Sequence, residues 1–188
     1  MRMVFPVKFM RSWIPGLGSR LQFFATTIFS VPSAIVITVS DSCAAGIRED
    51  VSGPAVAQRL TELGFSGVTR AMVPDERAKI SAALRDAAER AQLVVTTGGT
   101  GIAMRDVTPE ATRDVCSRLI DGVSEVMRRE GMKQTPLAAL SRSVCGVCGD
   151  ALVLNLPGAP AGALASFNAV AHLLPHALEL LAGKTGHR

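Results

Sequence analysis

Short β-branched runs alternate along the chain with segments of helical period. Ala34-Ile-Val-Ile-Thr-Val39 is a short apolar run rich in β-branched residues, which predicts a strand buried on both faces. Ser40-Asp41-Ser42 follows as a polar strand end, and residues 43–52 read as a loop. Ser52-Gly53-Pro54 predicts a helix start, with Ser52 or Gly53 as cap and Pro54 in the first turn. Val56, Leu60 and Leu63 give that helix one apolar face, and Gly64 stops it. Gly67–Val73 predicts a second strand, Pro74-Asp75-Glu76 opens a helix to about Ala91, and Gln92–Thr97 predicts a third strand.

After a glycine-rich turn, Thr108-Pro109-Glu110 opens the longest predicted helix, with Thr108 as N-cap and Val115, Leu119, Val123 and Met127 facing the core as far as Gly131. Ser143–Cys148 and Ala151–Leu156 predict a hairpin turning at Gly149-Asp150, and 161–182 a last helix kinked near Pro175. The order implies a three-layer α/β/α fold: a mainly parallel sheet plus a C-terminal β-hairpin contributing an antiparallel strand. Ligands of such sheets sit beyond the carboxyl ends of the strands, here Ser40–Ser42, Thr97–Asp106 and Asn155–Gly158.

Charge modifies this picture only at one end. The 188 residues carry 20 Lys+Arg and 16 Asp+Glu, a net charge of +4. Residues 1–32 hold Arg2, Lys8, Arg11 and Arg20 and no acid, so the rest of the chain is neutral overall. The basic balance therefore reports the N-terminal segment and not a nucleic-acid surface. Scarce aromatics (seven Phe, one Trp, no Tyr) also argue against base stacking. Leu21–Ser40 is uncharged and about long enough to be a membrane anchor, but it contains Gln22, several Ser and Thr, and a central Pro32. A secretory signal fits poorly, because Trp13, Pro15 and Gly16 interrupt the basic part. The reading adopted is an extension over 1–32, or an over-long start, then a single domain over 33–188, cytoplasmic and without a membrane partner.

Val95-Thr-Thr-Gly-Gly-Thr-Gly101 and Arg105-Asp106-Val-Thr-Pro-Glu-Ala111 carry the strongest chemical signal. Glycines let backbone amides approach an anion, and a helix start lies beyond them. Arg105 suits a phosphate and Asp106 a divalent metal. The spacing is neither a Walker loop nor a dinucleotide fingerprint. A bare strand-to-helix turn explains one or two glycines but not the Arg-Asp pair. Asp75 reads locally as an N-cap, and its rim position adds a metal or proton role. Ser141, Ser143, Asn155, Pro157 and Gly158 meet across the hairpin, where hydroxyls and an amide suit a polar heterocycle or phosphate; ordinary strand-end polarity is the competing reading.

Other signals are weaker. Cys145-Gly-Val-Cys148 is half of a zinc pattern, but positions three apart on a strand face opposite ways. His172 and His176 lack the Glu of a metalloprotease helix, and Ser40-Asp41-Ser42 lacks a placed His.

Val39-Ser-Asp41, Asp50-Val-Ser-Gly-Pro54, Val73-Pro-Asp-Glu76, Thr96-Thr-Gly-Gly-Thr-Gly101 with Arg105-Asp-Val-Thr-Pro-Glu-Ala111, Leu140-Ser-Arg-Ser143 and Asn155-Leu-Pro-Gly158 occur in order. Together they resemble the Mog/MoaB-type molybdopterin adenylyltransferases of molybdenum cofactor biosynthesis, over about Ser33 to Gly183. The resemblance implies Mg²⁺-dependent transfer of AMP from ATP to the terminal phosphate of molybdopterin, releasing pyrophosphate. It implies that Asp75 and Asp106 are catalytic and hold Mg²⁺. Thr97, Gly98, Gly99, Thr100, Gly101 and Arg105 would bind nucleotide phosphate, with Asp41 and Ser42 at the nucleotide end. Ser141, Ser143, Asn155, Pro157 and Gly158 would hold the pterin. It also implies a homo-oligomer, a trimer being favoured, and a molybdate-insertion protein as partner. The alternatives are a non-enzymatic pterin- or nucleotide-binding paralogue and an enzyme of the molybdate-insertion step.

Overall fold

The computed structural model describes residues 32–184. The expectations for the N-terminal extension up to residue 31 lie outside them. The uncharged run that could have been an anchor ends in β1 (Ser33–Val39), an inner strand of the sheet. No helix among the described residues is long and apolar enough to cross a membrane.

Six strands form one sheet in the order β2-β1-β3-β6-β5-β4. They are β1, β2 (Ser66–Val73), β3 (Leu93–Thr97), β4 (Arg118–Leu119), β5 (Cys145–Cys148) and β6 (Ala151–Leu156). β2, β1, β3 and β6 run parallel; β5 is antiparallel to β6, and β4 to β5. The three-layer, mainly parallel fold with its C-terminal hairpin is as expected, and β4 is the addition. Val36 pairs with Val95, and Val95 with Leu154, so strand alternation splits the core in two. Ala34, Val36, Leu93, Val95, Leu152 and Leu154 pack against α2 (Ser52–Glu62), α5 (Asp121–Met132), α6 (Pro160–Val170) and α7 (Leu174–Leu181). Ile35, Ile37, Val94 and Val153 pack on α3 (Arg77–Arg90) and α4 (Thr108–Val115). Each buried Val, Leu or Ile among these contributes roughly 1.5–3 kcal/mol. Cys145 enters the first core and Cys148 the second, as strand geometry requires.

The long helix expected over 108–131 is two helices. Cys116 is extended (φ −85°, ψ 127°), and Ser117 N–H donates to Val147 O at 2.9 Å. Arg118–Leu119 then adds β4 to the edge of β5, and Asp121 restarts a helix. Apolar residues four apart fit either arrangement; the open edge of β5 decides, because its backbone groups need partners. The last helix breaks at a 3₁₀ turn over Ala171–Leu173, just before Pro175 in the first turn of α7. The polar strand end becomes a single helical turn, α1 (Asp41–Ala44), capped by Ser40 Oγ accepting from Cys43 N–H.

Three expected caps differ. α2 starts at Ser52 behind Val51, and its first-turn amide at Gly53 donates to Asp50 Oδ1 at 2.9 Å, so Asp50 is the capping side chain. Glu76, not Asp75, precedes α3. Thr108 is already inside α4, and its hydroxyl donates to Gly98 O at 3.0 Å.

Candidate active site

Strand order reverses at β1, with β2 on one side and β3 on the other. Chains leaving β1 and β3 in opposite directions open a crevice beyond their carboxyl ends. A cleft of about 690 Å³ lies there, lined by Thr38, Ser40, Asp50, Asp75, Thr97 and Gly98 among others. A second cleft of about 480 Å³ is lined by Thr100, Arg128, Leu137, Ser141, Ser143 and Pro157 among others. Gly99, Asp106, Gly158 and Ala159 line both, so they form the divide between them.

The glycine-rich loop is held close to the sheet. Gly98 (φ +98°) and Gly99 (φ +62°) both take left-handed backbone conformations. A Cβ on Gly98 would stand 2.3 Å from Val39 O, and one on Gly99 2.3 Å from Thr108 Oγ1, so no larger residue fits. Gly98 N–H donates to Leu156 O at 3.1 Å, and Thr108 N–H to Gly99 O at 3.1 Å. The amides of Gly99, Thr100 and Gly101 have no acceptor among the described residues. They are the part of the loop free to receive an anion.

Arg142, to which the sequence reading gave no role, clamps this loop. Its Nε donates to Gly101 O at 2.6 Å, its guanidinium also bonds Asp106 O and Glu110 Oε1, and its own N–H donates to Thr100 O at 2.9 Å. Arginine between two expected hydroxyls was a signal, since a planar fork suits converging oxygens. Asp50 was also missed. It accepts from Thr38 Oγ1 at 2.7 Å and sits under the first cleft, where Ser52 Oγ donates to Thr97 Oγ1 at 3.1 Å.

Asp75 and Asp106 line the first cleft, and Asp41 is bonded to Asp75. Asp41 N–H donates to Asp75 Oδ2, and Asp75 N–H to Asp41 Oδ1. Arg105 donates twice to Asp41 Oδ2, at 3.0 and 2.6 Å, and that bond holds the Asp41 carboxyl below its ordinary range. Burial pushes Asp75 up, with the like charges of Asp41 and Asp106 adding to it against the Asp41 amide and Arg105. Asp106 Oδ2 accepts from Ala103 N–H at 2.8 Å. Asp75 Oδ1 and Asp106 Oδ1 have no hydrogen-bond donor among the described residues. Two such carboxylates fit a hard cation that takes one or two protein oxygens and completes its shell with phosphate and water. No group of three or more His, Cys, Asp or Glu that could hold a metal occurs among the described residues.

Ser141 and Ser143 face the second cleft, with their hydroxyls 2.9 Å apart. Asn155 does not reach it. Its side chain is fully buried beneath the hairpin, where Nδ2 donates to Thr96 Oγ1 and Thr112 Oγ1 and Oδ1 accepts from Val144 N–H. Ser42 and Asp41 stand outside the lining of both clefts, Ser42 with its hydroxyl 3.1 Å from Ser40 Oγ. Burial pushes the Cys116 and Cys145 thiols up to about 12, so neither is a ready thiolate. His172 and His176 lie outside the lining of both clefts.

Residues 35–176 match the family described as "Probable molybdopterin binding domain". The molybdenum cofactor synthesis protein cinnamon of Drosophila melanogaster is 42% identical over 149 residues, which are 78% of this chain and 25% of that protein. The chain thus spans a quarter of that relative's length. The molybdopterin adenylyltransferase of Helicobacter pylori strain J99 is 39% identical over 152 residues, 79% of this chain and 86% of that one. A crystal structure of the molybdopterin biosynthesis enzyme MoaB from Thermus thermophilus superposes with a TM-score of 0.73 at 44% identity, covering 81% of this chain and 97% of that one. With its sheet, glycine-rich loop and paired clefts, the chain belongs to the molybdopterin-binding-domain family of molybdenum cofactor biosynthesis.

Proposed function

We propose that this protein is a molybdopterin adenylyltransferase, moving AMP from ATP to the terminal phosphate of molybdopterin and releasing pyrophosphate. The observation that carries this is the pair of clefts meeting over Gly99 and Asp106, which suits two phosphate-bearing substrates brought end to end. Relatives named for this activity favour it over the binding-only and molybdate-insertion readings.

ATP takes the first cleft, with its phosphates reaching across the divide at Gly99 to the Gly99–Gly101 amides. Molybdopterin takes the second, beside Ser141, Ser143, Pro157 and Gly158. Asp75 and Asp106 hold Mg²⁺, which supplies charge neutralisation for one phosphate attacking another. Asp41 and Arg105 orient Asp75 through the bonds described above, and Thr97, Thr100 and Asn155 keep the strand ends and loop in register. Ser42 lies at the outer edge of the nucleotide end.

Residues 1–32 are an extension outside one domain spanning 33–188, in keeping with a family match that begins at residue 35. The chain acts as a homo-oligomer, with a trimer favoured, and passes its product to a molybdate-insertion protein. Its four free cysteines suit the reducing cytoplasm. Incubation with molybdopterin, ATP and Mg²⁺ tests the activity: pyrophosphate and adenylylated pterin should form in equal amounts. Pterin binding without pyrophosphate release would leave a binding protein, and light scattering reads the oligomer.

A further inference from the structure

Two phosphate-bearing substrates need cations, and the guanidinium groups nearest the loop are already taken. Arg105 is paired with Asp41 and lines neither cleft. Arg142 is spent on Glu110 and two backbone carbonyls. The second cleft contains one Arg or Lys in its lining, Arg128. It projects from α5 and is half-buried. Its Nη1 donates to Ser143 O at a long 3.4 Å, and it has no carboxylate partner among the described residues. A guanidinium with most of its donors unused by the protein, lining a cleft with the Ser141 and Ser143 hydroxyls and apolar Met127, Leu137 and Leu140, is placed to receive an anion.

We infer that Arg128 is the anion receptor of the second cleft, and that it binds the phosphate monoester of the pterin substrate through its guanidinium fork. The assignment rests on the proposed placing of molybdopterin in that cleft. It makes Arg128 a substrate-binding residue that sets the pterin's position before the nucleotide engages. The apolar wall around it lowers the local dielectric and strengthens the bond. The Ser143 carbonyl, accepting from Nη1, ties the guanidinium to the strand start that carries one of the two hydroxyls.

The test measures molybdopterin binding to the full chain by pterin fluorescence, without ATP, so that no transfer is needed. Arg128→Gln should weaken binding about ten- to a hundredfold, the range of a charge-assisted hydrogen bond. Arg128→Lys should recover part of it. Arg129→Gln, on the exposed next position of the same helix, serves as the control and should change nothing. In turnover, KM for the pterin should rise by more than kcat falls, with KM for ATP unchanged. Dephosphorylated molybdopterin should bind wild type and Arg128→Gln equally. Equal weakening of the phosphorylated and dephosphorylated forms would overturn the phosphate assignment, and unaltered affinity in Arg128→Gln would overturn the receptor. A wild-type chain that binds no pterin would overturn the proposed function and this inference together. A chain that binds pterin through Arg128 but releases no pyrophosphate would overturn the adenylyl transfer alone.

Discussion

Asp41 and Asp75 exchange hydrogen bonds in both directions: Asp41 N–H donates to Asp75 Oδ2 at 2.8 Å, and Asp75 N–H donates to Asp41 Oδ1 at 2.9 Å. The pair ties the carboxyl end of β1 to that of β2, next to the Ser40 N–H to Val73 O bond at 3.0 Å. Each carboxylate is aimed by the other's backbone, so a side chain that turns gives up the bond from its partner's amide. Arg105 bonds Asp41 and not Asp75, which leaves Asp75 as the member with an unengaged oxygen at the cleft.

The two acids should therefore affect stability with opposite sign. The folded carboxyl of Asp75 titrates above its usual 3.8, chiefly because of burial, so its charged form is disfavoured in the fold. This cost is absent below pH 3.8, grows as pH rises through the folded value, and is constant above it. Asp41 titrates below 3.8, chiefly through its bond from Arg105, and its contribution is present above 3.8 and lost as pH falls through the folded value. Asp75→Asn should raise Tm at pH 7 and lose that gain in acid. Asp41→Asn should lower Tm at pH 7, by a margin that shrinks in acid. Melting curves of both variants from about pH 3 to pH 7 check this; a shift independent of pH would remove these carboxyls from the titration.

Gly98→Ala tests the loop geometry. It places a methyl 2.3 Å from Val39 O at φ +98°, where a side chain is strained even in open space. The expected loss is at least about 2 kcal/mol of stability. ATP affinity should fall as well, because the neighbouring amides move with the backbone. A urea midpoint and an ATP titration both equal to wild type would mean the loop has another way to pass β1.

Asn155→Ala tests a residue that the linear sequence gives to the ligand and the fold gives to the core. It removes partners from the buried Thr96 and Thr112 hydroxyls and the Val144 amide, a loss of about 3 kcal/mol if the hydroxyls find no replacement. Tm should drop well before pterin affinity does. A large affinity loss at unchanged Tm would return Asn155 to direct contact.

The difference between these residues shows what a linear reading can see. The parallel core was legible because Ala34–Val39, Leu93–Thr97 and Ala151–Leu156 are predominantly apolar, uncharged runs rich in branched side chains, the pattern of strands covered on both faces. Gly98 and Gly99 were legible because left-handed backbone selects glycine. Asn155 announces only a polar side chain at a strand end; that it faces Thr112 depends on which side α4 packs. The pairing of Arg105 with Asp41 spans 64 residues, and no local pattern indicates that the arginine is already neutralised. β4 stayed hidden for a related reason, since Arg118–Leu119 is a strand only because β5 offers an edge.

Asp106 stands where these constraints meet. It lines both clefts, its Oδ2 accepts from Ala103 N–H at 2.8 Å, its carbonyl is held by Arg142, and its Oδ1 is unengaged among the described residues. A residue held at side chain and backbone with one oxygen free is preorganised for charge that develops between two phosphates. Asp106→Asn keeps the shape and removes the charge. At saturating Mg²⁺ it should lower kcat by at least about a hundredfold, the scale on which preorganised electrostatic groups act, with pterin binding largely retained. Arg142→Ala should lower stability by about 2 kcal/mol through its lost carbonyl bonds, and lower kcat by less than Asp106→Asn does, because the carboxylate is loosened but still present. Pyrophosphate release measured for wild type and both variants separates the two roles. Full turnover in Asp106→Asn would move the catalytic charge to Asp75 alone.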